Sequence, residues 1–165
     1  MSSQVVTYCR HWSLGYNEAF QPLTEKQARK AHDSHKEYCA ILGDPKTPSS
    51  FVHFNRGSIG ITWLDNYLRP NMTVSFGERN GALIFLDAVT GRAYTADSEQ
   101  PDETLVLYFN LDGTGHRHHW LPDGSFEKAD MRWDDMSSHW KPYPEFGHYD
   151  DLIHAPNAWL EDKLK

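Results

Sequence analysis

Gly115-His116-Arg117-His118-His119 is the densest run of catalytic residue types in this chain. On a strand, side chains alternate, so His116 and His118 project from one face and His119 from the other. Two imidazoles on one face are the beginning of a metal centre of the kind that barrel oxygenases complete with a carboxylate. A third ligand is needed, and the spacing selects neither Glu127 nor Asp123. The plainer reading, which we adopt, is a solvent-facing strand whose histidine pair lies beside acidic loops. A small metal-dependent barrel enzyme using His116 and His118 stands as the alternative.

Other catalytic templates fail on inspection. Gly113-Thr114-Gly115 lacks the third glycine of a dinucleotide loop, and there is no P-loop. His-Glu-x-x-His and Gly-x-Ser-x-Gly do not occur. The adjacent acids Asp134-Asp135 and Asp150-Asp151 point apart on an irregular chain, whereas glycosidase chemistry needs carboxylates across a cleft. His32, His35 and Cys39 could suggest a ligand set or a nucleophile, but helical packing already explains all three. We therefore expect no catalytic residues, no metal, no cofactor and no enzymatic activity.

The elements that would position these residues follow from period and punctuation. Thr24-Glu25-Lys26-Gln27 has the form of a capping box, which starts a helix. Ala28, Ala31, His35, Tyr38, Cys39 and Leu42 continue it as an apolar stripe up to Gly43 and Pro45. Lys26, Arg29, Lys30 and Lys36 then form its solvated side. From residue 51 the period becomes two: Ile59, Ile61 and Trp63, then Met72, Val74 and Phe76 with Thr73 and Ser75 facing the other way. Asn80-Gly81 predicts a hairpin turn before a strand through Leu83–Leu86. Thr90-Gly91 predicts a further reversal, and residues 97–103 an acidic loop. Leu105–Phe109 reads as a strand buried on both faces, turned at Asp112-Gly113 into His116–Leu121, which Pro122-Asp123-Gly124 stops before a short strand from Phe126. The expectation is one α+β domain over residues 1–165: an antiparallel meander of six or seven strands, one long N-terminal helix on one face and an irregular C-terminal wrap. Pro142 and Pro144 keep that wrap extended, and residues 156–160 suggest a terminal helical turn.

The composition is 39% hydrophobic and 13% aromatic, that of a folded domain rather than a disordered one. The net charge of -7 is uneven. Residues 1–75 carry a net +2, and residues 76–165 a net -9. That field disfavours nucleic acid and acidic membranes and steers basic partners. Two cysteines, Cys9 and Cys39, are too few for a disulfide framework. The polar amino terminus has no basic segment followed by an apolar core, which points to a cytoplasmic location.

The stretch Trp140-Lys141-Pro142-Tyr143-Pro144-Glu145-Phe146-Gly147-His148-Tyr149-Asp150-Asp151-Leu152 combines four rings with three carboxylates, the raw material of a recognition surface. Together with Phe85-Leu86, Tyr108-Phe109 and Asp112-Gly113, it resembles small bacterial immunity proteins, the antidotes encoded beside polymorphic toxins of Rhs, type VI and contact-dependent systems. The likeness runs over about residues 50–152, and its most specific part is Trp-x-x-Tyr-Pro-Glu-Phe-Gly-x-Tyr. The resemblance implies a protein that binds a cognate toxin with a basic cleft and occludes its active site. Asp134, Asp135, Glu145, Asp150 and Asp151 would meet the cleft, and Trp140, Tyr143 and Tyr149 would supply buried contacts. A competing reading makes Trp140 and Phe146 anchors that hold the segment on the sheet. A non-catalytic subunit or scaffold protein is the remaining alternative.

Overall fold

In the computed structural model, which describes residues 4–153, the capping box at Thr24 is formed. Gln27 N donates to Thr24 Oγ1 at 3.2 Å, and Thr24 N donates to Gln27 Oε1 at 2.8 Å. Helix α1 (Glu25–Asp33) therefore starts where expected but stops about two and a half turns short of its expected end at Gly43. Ser34 N donates back to the Lys30 carbonyl, and His35 turns to φ 49°, outside the helical region. Tyr38–Leu42, assigned above to the helix, is strand β3, and all five of its residues are buried. A strand buried on both faces has no alternation to reveal it. Cys39 is thus a strand residue, in register with Cys9, and both thiols are fully buried and free.

The other strands are β1 (Val6–Ser13), β2 (Glu18–Leu23), β4 (Ser50–Asn55), β5 (Ser58–Leu64), β6 (Pro70–Arg79), β7 (Leu83–Ala93), β8 (Glu103–Phe109), β9 (Thr114–Trp120), β10 (Phe126–Arg132) and β11 (Trp140–Pro142). Ten of them lie in one sheet in the order β10-β9-β8-β7-β6-β5-β4-β3-β1-β2, with β11 paired to β7 off this path. Every pairing is antiparallel. The architecture is α+β as expected, but the six or seven strands are corrected to ten plus β11, and the sheet is open rather than a barrel. Thr90-Gly91 makes no reversal: both sit inside β7, paired with Val106 and Leu105. Asn80 and Gly81 do turn the β6–β7 hairpin, at φ 52° and 74°.

One face of the sheet holds the main core: Tyr38, Ala40, Leu42, Val52, Phe54, Ile59, Ile61, Val74, Phe76, Val89, Leu107 and Phe109. Each large side chain there contributes about 1.5–3 kcal/mol by leaving water. Helix α1 covers part of this face through Ala28 and His32, and the C-terminal segment covers the rest through Tyr149 and Leu152. The opposite face carries a smaller cluster of Cys9, Trp12, Cys39, Ile41, Phe51 and Leu64. Beyond it that face becomes polar, with Thr62, Thr73 and Arg92 in contact. Among the described residues no helix is long and apolar enough to cross a membrane. The helical turn expected at residues 156–160 lies outside the described residues.

Candidate functional site

After β10 the chain makes a 3-10 turn at Ser137–His139, and His139, almost fully buried, has Nδ1 within 3.1 Å of the Leu86 carbonyl. β11 then pairs with the first residues of β7, and Tyr143 N donates to the Ala82 carbonyl. Pro142 and Pro144 exclude helix here, so the segment crosses the core face extended until a helical turn at residues 150–153.

Three rings and one carbonyl fasten it. Tyr143 packs on His35 at 4.6 Å and His32 at 5.4 Å. Phe146 stacks on Tyr8 at 5.3 Å, and the Arg29 guanidinium lies 4.4 Å from its ring centre. Tyr149 is 2% exposed, against Phe54 and hydrogen-bonded to Tyr38. His32 Nε2 lies 3.0 Å from the Pro144 carbonyl, and its Nδ1 2.9 Å from the Tyr38 hydroxyl. Burial pushes the His32 pKa below its ordinary value, so the ring is neutral and carries one proton. A carbonyl only accepts, which places that proton on Nε2 and makes Nδ1 the acceptor from Tyr38 O–H. Tyr38, having given its one proton to His32, accepts from Tyr149 at 3.2 Å. The result is a directed chain from Tyr149 through Tyr38 and His32 to Pro144. Burial raises the pKa of Tyr38 and Tyr149 well above the usual phenol range, and burial with the nearby Glu78 pushes Tyr143 up to about 12. These tyrosines serve as neutral anchors.

Around this fastened segment the acids face water. Glu145 and Asp151 line an open groove of about 690 Å³ with Lys141, Tyr143, His148 and Leu152. Asp150 and Asp151 border an adjoining hollow with Gly147 and His148. Asp134 and Asp135 line neither; Asp135 Oδ1 accepts from Ser137 N and shapes the turn ahead of β11. The structure therefore gathers Glu145, Asp150 and Asp151 and leaves Asp134 and Asp135 out of the groove. One ring changes place relative to expectation. Tyr149, expected to contact the partner, is core, because its hydroxyl finds a partner inside; Trp140, read as a partner contact and alternatively as an anchor, is 38% exposed and lies edge-on to Phe85. Phe146 anchors as its alternative reading had it. The chain from Tyr149 through Tyr38 and His32 to Pro144 escaped the sequence, since two of its three links span 111 and 112 residues and no spacing connects them.

The histidine strand is β9, and His116 and His118 do share a face, 6.4 Å apart between ring centres. Neither carboxylate considered as a third ligand joins them. Glu127 is opposite His119 in the register and so on the other face, 4.0 Å from His119 and Arg117. Asp123 sits in the β9–β10 turn, where its carboxylate accepts from Ser125 N. His116 pairs instead with Asp130 at 2.9 Å, and His119 with Glu103 at 2.6 Å. Among the described residues no three His, Cys, Asp or Glu side chains converge as a metal-binding group. No protein-family model matches this chain, and no curated protein or solved structure matches it.

Proposed function

We propose that this chain is a cytoplasmic immunity protein that binds a cognate bacterial toxin and occludes its active site. The observation that carries the reading is the segment 143–152, whose rings are fastened to the core while Glu145, Asp150 and Asp151 stand exposed around a groove and the hollow adjoining it. A binding protein gains from such an arrangement, because charges on a pre-ordered backbone need not be immobilised at the moment of association. The -9 charge on residues 76–165 supports a basic partner, drawn in by steering that salt weakens. Asp134 and Asp135 form a separate acidic point near Trp140 in sequence, and on this reading they meet the partner at the margin of the surface.

The test is co-expression with the toxin domain encoded by the neighbouring gene, scored as cell survival. Asp150→Lys with Asp151→Lys is expected to leave thermal unfolding within about 0.5 kcal/mol of the parent, as surface changes do. The same variant should abolish protection and slow association. Full protection by a folded double variant would remove this surface from the interface. A neighbouring gene that encodes no toxin would remove the reading itself.

A further inference from the structure

The two ends of the sheet are built differently. The β2 edge is blunted: Pro22 lacks an amide proton, and Gln21 at φ 51° interrupts the strand. The β10 edge has neither device. Its seven residues, Phe126-Glu127-Lys128-Ala129-Asp130-Met131-Arg132, pair continuously with β9, and among the described residues no strand pairs with their outer side. Leu121 N donates to Ser125 O, and Trp133 N to Gly113 O, which marks these pairs as the hydrogen-bonded ones of the antiparallel ladder. Counting between them, Glu127, Ala129 and Met131 direct their amides and carbonyls to β9. Those of Phe126, Lys128, Asp130 and Arg132 point outward, and their side chains share the face that carries His116, His118 and Trp120.

We propose that this edge pairs with the β10 edge of a second copy of the chain, antiparallel and centred on Ala129, joining two sheets across a two-fold axis. The charge order selects both the occupant and the register. Centred on Ala129, all seven residues overlap, Lys128 lies opposite Asp130 of the second copy and Asp130 opposite its Lys128, and Phe126 lies opposite Arg132 in reach of a cation–π contact. The four outward-facing residues are then the hydrogen-bonded pairs, so no backbone group at the seam is left over. A shift of one position either way sets Lys128 against its own copy, or Asp130 against its own copy with Lys128 against Arg132. Those registers oppose like charges and shorten the overlap. The seam continues the exposed face on which Trp120 and Phe126 lie 4.9 Å apart and His118 packs against both. It lies on a different strand from the groove at residues 143–152, so it does not depend on the toxin-binding reading.

Sedimentation equilibrium on the full chain tests the pairing through its charges. The parent should be a dimer. Lys128→Asp and Asp130→Lys, each placing like charges opposite one another twice per dimer, should each raise the dissociation constant about tenfold or more. Mixing the two single variants should restore dimers, because Asp at 128 of one copy then meets Lys at 130 of the other, and Asp130 of the first meets Lys128 of the second. The double exchange of Lys128 and Asp130 should also restore them. Amide exchange on the unaltered chain gives a second readout that no variant can spoil by misfolding: the Lys128 and Asp130 amides should become protected as protein concentration rises. A parent that stays monomeric at roughly 1 mM overturns the proposal. So does a dimer indifferent to both single variants, or protection of those amides that does not change with concentration, which would mean that another part of the same chain covers the edge.

Discussion

Acidification is the perturbation that most directly interrogates the chain of hydrogen bonds under the C-terminal segment. His32 is 6% exposed, and burial holds its pKa below the ordinary value, with the Pro144 carbonyl opposing in part. In the unfolded chain the ring titrates near about 6.5. Between that value and the lower folded one, the unfolded state binds more protons, so stability must fall as pH falls through this window. The limiting slope for one such histidine is about 1.4 kcal/mol per pH unit, flattening below the folded pKa. Structurally, a second proton on Nδ1 would point at Tyr38 Oη, which now donates there. Tyr38 would have to reverse its proton, and the bond with Tyr149 would reverse with it. His53 is also held low by burial, against the pull of Glu37, and adds a slope of the same sign. The comparison that isolates His32 is therefore parent against His32→Phe, in urea unfolding from about pH 7.5 down to about pH 5. The variant should be less stable at neutral pH but lose about 1 kcal/mol per unit less on acidification. Equal slopes in the two proteins would refute the neutral, Nε2-protonated ring and the direction of the chain built on it.

Tyr38→Phe should cost about 2–3 kcal/mol, since it strands the buried His32 Nδ1 and leaves Tyr149 only its hydrogen bond with Tyr8, whereas Tyr149→Phe leaves Tyr38 donating and should cost about 1 kcal/mol. Denaturant midpoints that rank the two in the opposite order would reverse the assignment of donors. Gly115→Ala should destabilise by about 3 kcal/mol, because its methyl would enter the Tyr108 carbonyl and the Trp133 ring; Gly91→Ala, in the same sheet with open space around it, should be neutral or stabilising by about 0.5 kcal/mol. Thermal melts of the pair check this contrast.

The parts of the fold legible in the sequence are those written in short-range chemistry. The capping box needs only Thr24 and Gln27, and Asn80-Gly81 needs only two residues that accept positive φ. Ile59, Ile61, Val74 and Phe76 alternate because β5 and β6 are covered on one face far more than on the other. Tyr38–Leu42 was misread because burial on both faces erases alternation, and the preceding helical stripe runs into it without a break in hydrophobicity. β2 was missed because most of its residues are exposed, so it carries little pattern at all. In the candidate site, rings and acids were legible as types but not as positions. Whether Tyr149 or Trp140 turns inward depends on Tyr38 and Phe85, which are far away in the chain and near in space.

The order of the strands bears on how the molecule comes into being. From β4 to β10 each strand pairs with the one made just before it, so the sheet can zip up as the chain is synthesised. The C-terminal segment cannot follow that rule: Pro144 and Tyr149 close onto His32 and Tyr38, made more than a hundred residues earlier. Until the ribosome has delivered them, the rings of Tyr8, Tyr38 and Phe54 lack the cover that Phe146 and Tyr149 supply, and exposed apolar surface of that kind favours aggregation. The groove bearing Glu145 and Asp151 thus forms after the eleven strands have been made, and a product truncated before residue 143 has the sheet but no such surface.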